Sequence, residues 1–223
     1  TADVTPDAAI AARVAQYQAE IDKALDVEIG VTQTALDSRK ASVRGQETAI
    51  GDFFADTMRA VAGADVAILN GGGIRGDRLY AAGTKLTRKD IVRELPFNNQ
   101  LVTLELSGAD LRAALENAVW LIGKDAGRFA QISGARIVVR RDVVPGSRLV
   151  SIEVGGAPLD DAKRYKVVTS DFLARGKDGY AALMRGKPLV SELDGPSLTG
   201  VVTDAIAKAG AIAPVVDGRI RIE

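Results

Sequence analysis

A run of glycines followed by an arginine is the part of this sequence best suited to bind an anion. Residues 70–76 read Asn-Gly-Gly-Gly-Ile-Arg-Gly, and they follow an apolar stretch at 65–69 that is typical of a short strand. Glycine has no side chain, so the backbone can approach a ligand closely. The planar guanidinium of Arg75 can donate two parallel hydrogen bonds to a phosphate or carboxylate. The spacing therefore predicts a small-anion site after this strand, with a purely structural tight turn as the alternative.

The same stretch formally matches the G-x-G-x-x-G fingerprint of dinucleotide-binding proteins. That fingerprint requires a helix that begins directly at the loop, because the pyrophosphate binds at the N-terminus of this helix. Here residues 77–83 intervene, and the next predicted helix begins only at Thr87. Glu94 lies at about the distance of the ribose-binding acid of the fingerprint, but it ends a helix rather than a second strand. We therefore expect no nicotinamide or flavin cofactor.

Two phenylalanines occur beside polar residues rather than in apolar runs. Phe97 stands in Leu-Pro-Phe-Asn-Asn, between a predicted helix and a predicted strand. Phe172 follows a predicted strand in the polar, glycine-bearing loop at 171–180. Taken alone, Phe97 is predicted to be a buried core residue. Phe172 is unusual in a polar loop unless its ring packs over another group. Two loop aromatics could hold a flat ring between them, with nearby Asn or Asp side chains at its polar edges.

The composition excludes several classes of catalyst. The 223 residues include neither His nor Cys, which excludes Ser-His-Asp and Cys-His catalysis, disulfides and Cys-ligated zinc. No group of Asp and Glu has EF-hand spacing, and we predict no metal site and no catalytic residue in this chain. Lys plus Arg and Asp plus Glu number 29 each, so no basic excess indicates a nucleic-acid polymer as partner. No apolar run reaches the roughly 20 residues of a membrane-spanning helix.

Apolar periodicity predicts the elements that must position these residues. The predicted helices span 6–25, 46–61, a short segment from Thr87, 107–122 and 197–209. The predicted strands span 29–35, 65–69, 100–106, 135–140, 150–154, 165–170 and 218–223. Helices and strands mix without strict β-α-β alternation, which favours an α+β fold with mixed sheets and packed helices. The simplest division is a linker helix at 1–29 followed by one domain at 30–223.

Five motifs follow one another along the chain, and a Gly-Arg-Ile strand ends it. The motifs are Arg44-Gly-Gln-Glu-Thr-Ala-Ile-Gly-Asp52, Leu69-Asn-Gly-Gly-Gly-Ile-Arg75, Leu95-Pro-Phe-Asn-Asn99, Gln131-Ile-Ser-Gly134 and Asp171-Phe-Leu-Ala-Arg-Gly-Lys-Asp-Gly-Tyr180. The residues of these motifs and their order along the chain resemble the C-terminal domain of 5'-nucleotidases, a family that includes UDP-sugar hydrolases and 2',3'-cyclic phosphodiesterases. The resemblance covers about residues 30–223 and implies a layered α/β/β/α arrangement.

The resemblance implies that this domain binds a nucleotide or nucleoside. Phe97 and Phe172 would stack on the two faces of the nucleobase. Asp178 would accept hydrogen bonds from the ribose hydroxyls. Arg44 and Arg75 would face the substrate phosphate, where bidentate donors are suited to phosphate oxygens.

Three further positions match substrate contacts of the family. Asn70 and Asn99 would contact substrate, with Asn99 at the edge of the base, and the backbone of Gly134 would pass close to the base. Two residues depart from the usual family pattern, in which Gly often stands at the position of Lys177 and Asn at the position of Asp52. Neither departure changes a proposed contact, but Lys177 adds a positive charge beside the ribose site.

The resemblance also implies that the catalytic centre lies outside this chain. In the family, two divalent metal ions such as Zn²⁺ or Mn²⁺ bind an N-terminal domain through D-x-H, G-N-H-[DE] and G-H-x-H motifs. A chain without His cannot contain these motifs. The implied function is the substrate-binding part of a metal-dependent 5'-nucleotidase-type phosphohydrolase, inactive alone and joined to an N-terminal metallophosphatase domain of the same polypeptide.

Two further expectations concern context. The family resemblance implies a periplasmic or extracellular location, while no export signal is recognisable in the printed residues. The alternative function is a stand-alone nucleoside- or nucleotide-binding module without catalysis.

Overall fold

Residues 7–223 are described by a computed structural model, apart from the side chains of Gln18 and Asp22. The first element is helix α1 (Ala8–Leu25). It is capped by Asp7, whose Oδ1 accepts two backbone hydrogen bonds at 2.9 and 3.0 Å. The expected helix start at Pro6 lies outside the described residues. The apolar side chains that recur at helical spacing on α1 are exposed, namely Ile10, Val14, Tyr17 and Ile21.

All five predicted helices and all seven predicted strands are present, with ends that differ by a few residues. The helices after α1 in the described chain are α2 (Lys40–Val43), α3 (Ala49–Ala62), α4 (Arg88–Glu94), α5 (Gly108–Val119), α6 (Asp171–Ala174) and α7 (Leu198–Ala209). The strands are β1 (Glu28–Thr32), β2 (Leu36–Asp37), β3 (Val66–Asn70), β4 (Leu79–Tyr80), β5 (Lys85–Thr87), β6 (Leu101–Ser107), β7 (Ala130–Ser133), β8 (Ala135–Val139), β9 (Leu149–Val154), β10 (Ala157–Pro158), β11 (Arg164–Ser170), β12 (Lys187–Val190), β13 (Ala211–Ile212) and β14 (Ile220–Ile222). None of the described helices combines the length and apolar character needed to cross a membrane.

A five-stranded mixed sheet lies at the centre, in the order β12-β6-β11-β3-β7. Strands β11 and β3 run parallel, and the other neighbours are antiparallel. Strand β3 is buried along its whole length. Since successive side chains point to opposite faces, Val66 and Ile68 enter one hydrophobic core, while Ala67 and Leu69 enter a second. The central sheet therefore separates two cores.

The two cores are covered by different elements. Helices α3 and α7 pack over one face of the central sheet and share their core with the small sheet β13-β1-β5. The other face packs against α5 and the four-stranded sheet β10-β9-β8-β14. Helices and mixed sheets thus form stacked layers, and the α+β prediction is confirmed. The predicted cap residues are also in place, because Thr87 forms a capping box with Asp90, and Ser107 Oγ accepts from the N–H of Asp110.

Several short strands were not predicted. Strand β7 has only four residues and β12 contains Pro188, which is tolerated because β12 lies at the sheet edge. The segment expected as a polar loop after β11 also differs, since its first four residues form the one-turn helix α6. Ser170 caps this turn by accepting a hydrogen bond from the N–H of Leu173 at 3.3 Å.

An ionic cluster of Glu47, Asp52, Asp56, Asp217 and Arg219 fastens the terminal strand to the start of α3. The carboxylate of Glu47 accepts backbone hydrogen bonds of 2.8, 2.9 and 2.8 Å from three residues in and just before β14. The guanidinium of Arg219 lies 2.7 Å from Asp56, 2.9 Å from Asp217 and 3.5 Å from Asp52. The Gly-Arg-Ile motif therefore has a structural role in this fold.

Asp52 is the exception within the ionic cluster. Its side chain is buried, and neither carboxylate oxygen accepts a hydrogen bond from the described residues. Burial raises the pKa of Asp52 to about 8; Arg219 opposes the rise, and the neighbouring Glu47 carboxylate adds to it. The protonated form can donate to Glu47 much as an asparagine amide would. Burial therefore favours the protonated form of Asp52.

Asp52→Asn should remove a pH dependence of stability. The folded state holds the proton of Asp52 more tightly than the unfolded chain, so its contribution is complete below about pH 4 and is lost as the pH rises towards 8. Relative to the variant, the parent's free energy of unfolding should fall by up to about 1.4 kcal/mol per pH unit between about pH 5 and 8. Urea unfolding across this range measures the difference. The control Asp204→Asn, on the exposed side of α7, should keep the parent's pH dependence of stability. If the free energies of unfolding of Asp52→Asn and the parent change in parallel with pH, the raised pKa of Asp52 is contradicted.

Candidate functional site

A cavity of about 510 Å³ opens where strand β3 ends, and we call it the glycine-loop cavity. It lies against the loop after β3, the turn after α4, helix α6 and the loop after α5. Seven of the eight residues predicted from the sequence line it together. The lining residues are Arg44, Asn70, Gly72, Gly73, Arg75, Phe97, Asn99, Gly127, Phe172 and Asp178.

Gly134 is the exception, and its position corrects the sequence-based set. In the antiparallel pair of β3 and β7, Ala130 lies opposite Asn70, and the chain then runs back towards the start of β3. Gly134 therefore lies beside the carbonyl oxygen of Asp65, where an added Cβ would come within 1.9 Å. It lines a separate cavity with Arg59 and other charged residues. Its glycine is required by close packing at φ 76°, not by a ligand in the glycine-loop cavity.

Gly127 lines the glycine-loop cavity, whereas Gly134 does not, and the sequence analysis missed Gly127. Its carbonyl oxygen accepts a hydrogen bond from the N–H of Gly72 at 2.8 Å. A Cβ added to Gly72 would lie 2.9 Å from the Cα of Gly127. Two backbone segments thus pass in contact along the floor of the glycine-loop cavity. The sequence has no motif at Gly127, so only this cross-chain contact identifies it.

The glycine loop does not form a dinucleotide-binding turn. Gly71–Gly73 forms a single 3-10 turn after β3, and the next α-helix, α4, begins only at Arg88. Glu94 is fully buried and accepts hydrogen bonds from the Ser38 hydroxyl and the Tyr80 hydroxyl, both at 2.8 Å. Burial raises the pKa of Glu94 despite these bonds. Glu94 therefore supports the loop from inside and is not available to a ribose.

The two aromatic side chains of the glycine-loop cavity face outward. Phe97 is 56% exposed and Phe172 is 38% exposed, and neither belongs to the two cores. On the single turn of α6, the next residue, Leu173, is buried and anchors the turn in the core. A hydrogen bond of 2.8 Å from Asn99 Nδ2 to Asp171 Oδ1 ties the Phe97 loop to the Phe172 turn. The sheet thus holds two open aromatic faces at the rim of one cavity.

One acidic side chain, Asp178, lines the glycine-loop cavity and is half-buried. Asn70, the last residue of β3, is buried and donates from Nδ2 to Asp178 Oδ2 at 2.7 Å. Asp178 has a left-handed backbone conformation, with φ 53° and ψ 25°. Its carboxylate also lies against Gly127, because an added Cβ there would be 3.4 Å from Asp178 Oδ2. Asn70 therefore fixes the carboxylate, which can accept hydrogen bonds from a polar ligand.

Cationic side chains lie at another side of the glycine-loop cavity. The guanidinium of Arg75 lies 5.8 Å from the centre of the Phe97 ring. Arg44 has a buried Nε without a hydrogen-bond partner among the described residues, and its Nη1 makes only a 3.5 Å contact with the carbonyl oxygen of Asp125. Such an unpaired donor is costly in a protein interior. Arg44 therefore has unused capacity to bind an anion.

A second cavity of about 310 Å³, the basic cavity, adjoins the first at these two arginines. Its lining residues are Ser38, Lys40, Arg44, Ile74, Arg75 and Asp77. Lys40 was missed by the sequence analysis. Lys40 stands four positions before Arg44 in the sequence, a spacing that places both residues on one face of a helical turn. This spacing is the sequence signal from which Lys40 could have been predicted.

Gln131 explains why the first and fourth motifs occur together. Its fully buried amide accepts a hydrogen bond from the Thr48 N–H at 3.0 Å and donates to the carbonyl oxygens of Val43 and Gln46 at 3.0 and 2.9 Å. A Cβ added to Gly51 would lie 2.3 Å from Gln131 Oε1, so this glycine makes room for the amide. Gln131 therefore holds the chain segment that carries Arg44.

One group of carboxylates in the described chain has metal-like spacing, and it lies in the ionic cluster. One oxygen each of Glu47, Asp52 and Asp217 lies within 4.8 Å of the others. Arg219 already places a positive charge among them, and Glu47 is occupied by three backbone N–H groups. The chemistry of this set fits a proton on Asp52 better than a divalent cation. None of its members lines the glycine-loop cavity.

Known proteins resemble this chain over nearly its whole length. Residues 28–185 match the family described as 5'-nucleotidase, C-terminal domain. The chain is 30% identical over 219 residues to the trifunctional nucleotide phosphoesterase protein YfkN of Bacillus subtilis, covering 92% of this chain and 14% of that protein. It is 29% identical over 236 aligned residues to human 5'-nucleotidase, covering 98% of this chain and 41% of that protein.

A solved structure shares both fold and sequence. The crystal structure of the 5'-nucleotidase precursor from Thermus thermophilus superposes with a TM-score of 0.86 at 31% identity, covering 98% of this chain and 44% of that one. The chain therefore spans less than half the length of each of these relatives. With the family match covering most of its residues, this chain belongs to the 5'-nucleotidase C-terminal domain family.

Proposed function

We propose that this chain is the nucleotide-binding domain of a metal-dependent 5'-nucleotidase-type phosphohydrolase. The observation that carries the proposal is the glycine-loop cavity, which brings together two exposed aromatic rings, a fixed carboxylate and two arginines. A nucleotide has three parts with matching chemistry: a flat base, a ribose with hydroxyl donors and an anionic phosphate. The volume of about 510 Å³ is within the usual range for a small-molecule site.

Each part of the nucleotide has a proposed partner. The base stacks between Phe97 and Phe172, whose rings are exposed and lie outside both cores. The ribose hydroxyls donate to Asp178, which Asn70 holds in place. Arg44 and Arg75 face the phosphate.

The remaining contacts lie at the edges of this arrangement. Asn99 lies near the edge of the base, although its amide Nδ2 is also bonded to Asp171. The basic cavity extends the anion site and adds Lys40. It leaves room beyond the first phosphate for a further phosphoryl or sugar group.

Catalysis belongs to another domain in this proposal. Two divalent metal ions, bound by an N-terminal metallophosphatase domain of the same polypeptide, would activate water and stabilise the leaving oxygen. This chain matches only 41% of human 5'-nucleotidase and 44% of the Thermus thermophilus structure, so more than half of each relative lies outside the match. This supports such a partner domain. Residues 1–29 would act as the linker between the two, since no described residue of α1 belongs to either core. The last two residues of this range already form the start of β1, where Ile29 is buried in a core. A periplasmic or extracellular location remains a proposal drawn from the family resemblance.

Phe172→Ala should abolish measurable adenosine binding at little cost in stability. Stacking contributes roughly 1–3 kcal/mol per base–aromatic contact, and after the cost of association the parent should bind adenosine with a dissociation constant on the order of millimolar. Because the ring is outside the cores, its loss should cost less than the roughly 3–5 kcal/mol of a truncated core Phe. NMR titration and urea unfolding measure the two effects.

Phe54→Ala provides the matched control, because Phe54 is buried in the core beneath α3. It should lose about 3–5 kcal/mol of stability and retain adenosine binding wherever it remains folded. If Phe172→Ala instead unfolds as easily as Phe54→Ala and still titrates with adenosine, Phe172 is a packing residue.

Arg75→Lys should weaken binding of AMP about tenfold and leave adenosine within about twofold, because a point ammonium cannot replace the planar two-donor geometry at a phosphate. Isothermal calorimetry or NMR with both ligands tests the difference. The control is Arg112→Lys. Arg112 lies on α5 and forms an exposed ion pair with Asp161, so this change should alter the affinity for neither AMP nor adenosine. Equal losses for AMP and adenosine would mean that Arg75 supports the loop and not the phosphate.

The chain alone should not hydrolyse AMP, UDP-glucose or 2',3'-cyclic AMP, with or without added Mn²⁺ or Zn²⁺. The polypeptide extended by the coding sequence upstream of Thr1 should hydrolyse at least one of them in a metal-dependent manner. Colourimetric phosphate release measures the hydrolysis of AMP, and chromatography of the nucleotide products measures the hydrolysis of the other two. Metal-dependent release by the isolated chain, at constant specific activity through purification, would contradict the assignment of catalysis to another domain. An upstream sequence without the metal-binding motifs would instead favour the stand-alone binding module.

A further inference from the structure

The backbone around Asp178 is held in an unfavourable conformation. Gly176, Asp178 and Gly179 have φ values of 75°, 53° and 80°. Glycine adopts this left-handed region readily; aspartate adopts it less often, and local hydrogen bonds stabilise it there. The contact from Asn70 reaches only the Asp178 carboxylate. The backbone of Asp178 is held by a different contact.

Asn117, on helix α5, supplies the backbone contact. Its Nδ2 donates to the carbonyl oxygen of Asp178 at 3.1 Å. Its Oδ1 accepts from Arg128 Nη1 at 2.9 Å. Because one end of the amide faces an acceptor and the other a donor, its orientation is determined. The side chain cannot turn over without losing both hydrogen bonds.

Arg128 and the end of the loop are fastened in turn. The hydroxyl of Tyr180, which is fully buried, donates to the carbonyl oxygen of Arg128 at 2.6 Å. At Gly179 an added Cβ would lie 2.7 Å from Asn117 Oδ1, so the loop lies directly against this amide. Asn117 itself is not among the described residues that line the glycine-loop cavity. Its effect on a ligand must therefore pass through Asp178.

We infer that Asn117, oriented by Arg128, is a positioning residue that sets the Asp178 carboxylate for recognition of the ribose hydroxyls. The inference rests on the proposed function, in which Asp178 contacts the ribose. Without Asn117, the loop can relax to ordinary backbone conformations and the carboxylate leaves its place beside Asn70. The contribution of the ribose hydroxyls to binding then falls, while stacking of the base between the two phenylalanines is unaffected.

The test compares AMP with 2',3'-dideoxy-AMP, which lacks the two hydroxyls. In the parent, AMP should bind more tightly. Asn117→Asp keeps the shape and the acceptor for Arg128 but removes the donor to Asp178. It should weaken AMP about three- to tenfold, the effect of one hydrogen bond, and change dideoxy-AMP by less than about twofold. Arg128→Met should shift the same ratio in the same direction, and it provides the readout if Asn117→Asp folds poorly.

Arg112→Ala, elsewhere on the same helix, serves as the control and should keep the parent's preference. A parent that prefers AMP, together with Asn117→Asp and Arg128→Met variants that keep this preference, would overturn the positioning role while leaving the proposed function intact. A parent with equal affinity for AMP and dideoxy-AMP would overturn the inference together with the proposed contact between Asp178 and the ribose, while nucleotide binding itself would stand. Equal weakening of both nucleotides by the two variants would also overturn the inference, because it would indicate general damage to the cavity.

Discussion

The close approach of three chain segments at Gly71 is the constraint on which the site depends. Strand β3 is buried on both faces and cannot shift without disturbing two cores. At its end, a Cβ on Gly71 would lie 2.0 Å from the carbonyl oxygen of Val43, and the Gly71 N–H donates to the carbonyl oxygen of Phe129 at 2.6 Å. Val43 is followed by Arg44, and Phe129 by β7. The rigid centre of the fold thus places the arginine segment and the glycine loop side by side.

The residues proposed to bind a nucleotide are those that the fold alone does not require. Phe97 and Phe172 expose large apolar rings. Arg44 carries a buried donor that has no partner in residues 7–223 as described, and Asp178 adopts a left-handed backbone. The unpaired donor and the left-handed aspartate each cost folding free energy, and all four residues line one cavity. Local violations of folding rules that converge on a single place are typical of functional sites.

Long periodic elements and caps could be predicted from the sequence because their causes are local. Helix α5 follows from its apolar spacing and from Ser107, which caps it through an interaction three residues away. The seven residues that line the cavity were predicted from sequence motifs. The order of these motifs along the chain gives no information about the distances between the residues. The prediction that Gly134 lies in the glycine-loop cavity was wrong, because the place of Gly134 depends on the direction of β7. Strand β7 has only four residues, and its pattern is too short to predict. Residues that act across the sheet, such as Gly127 and Asn117, have partners distant in sequence and leave no local pattern.

The most direct test of the account is a crystal structure of this chain soaked with AMP at tens of millimolar concentration. The account predicts the adenine ring between Phe97 and Phe172 and the ribose hydroxyls within hydrogen-bond distance of Asp178. It also predicts the phosphate beside Arg44 and Arg75, next to the basic cavity. An AMP molecule bound elsewhere, or one in the cavity with its base away from both rings, would contradict it.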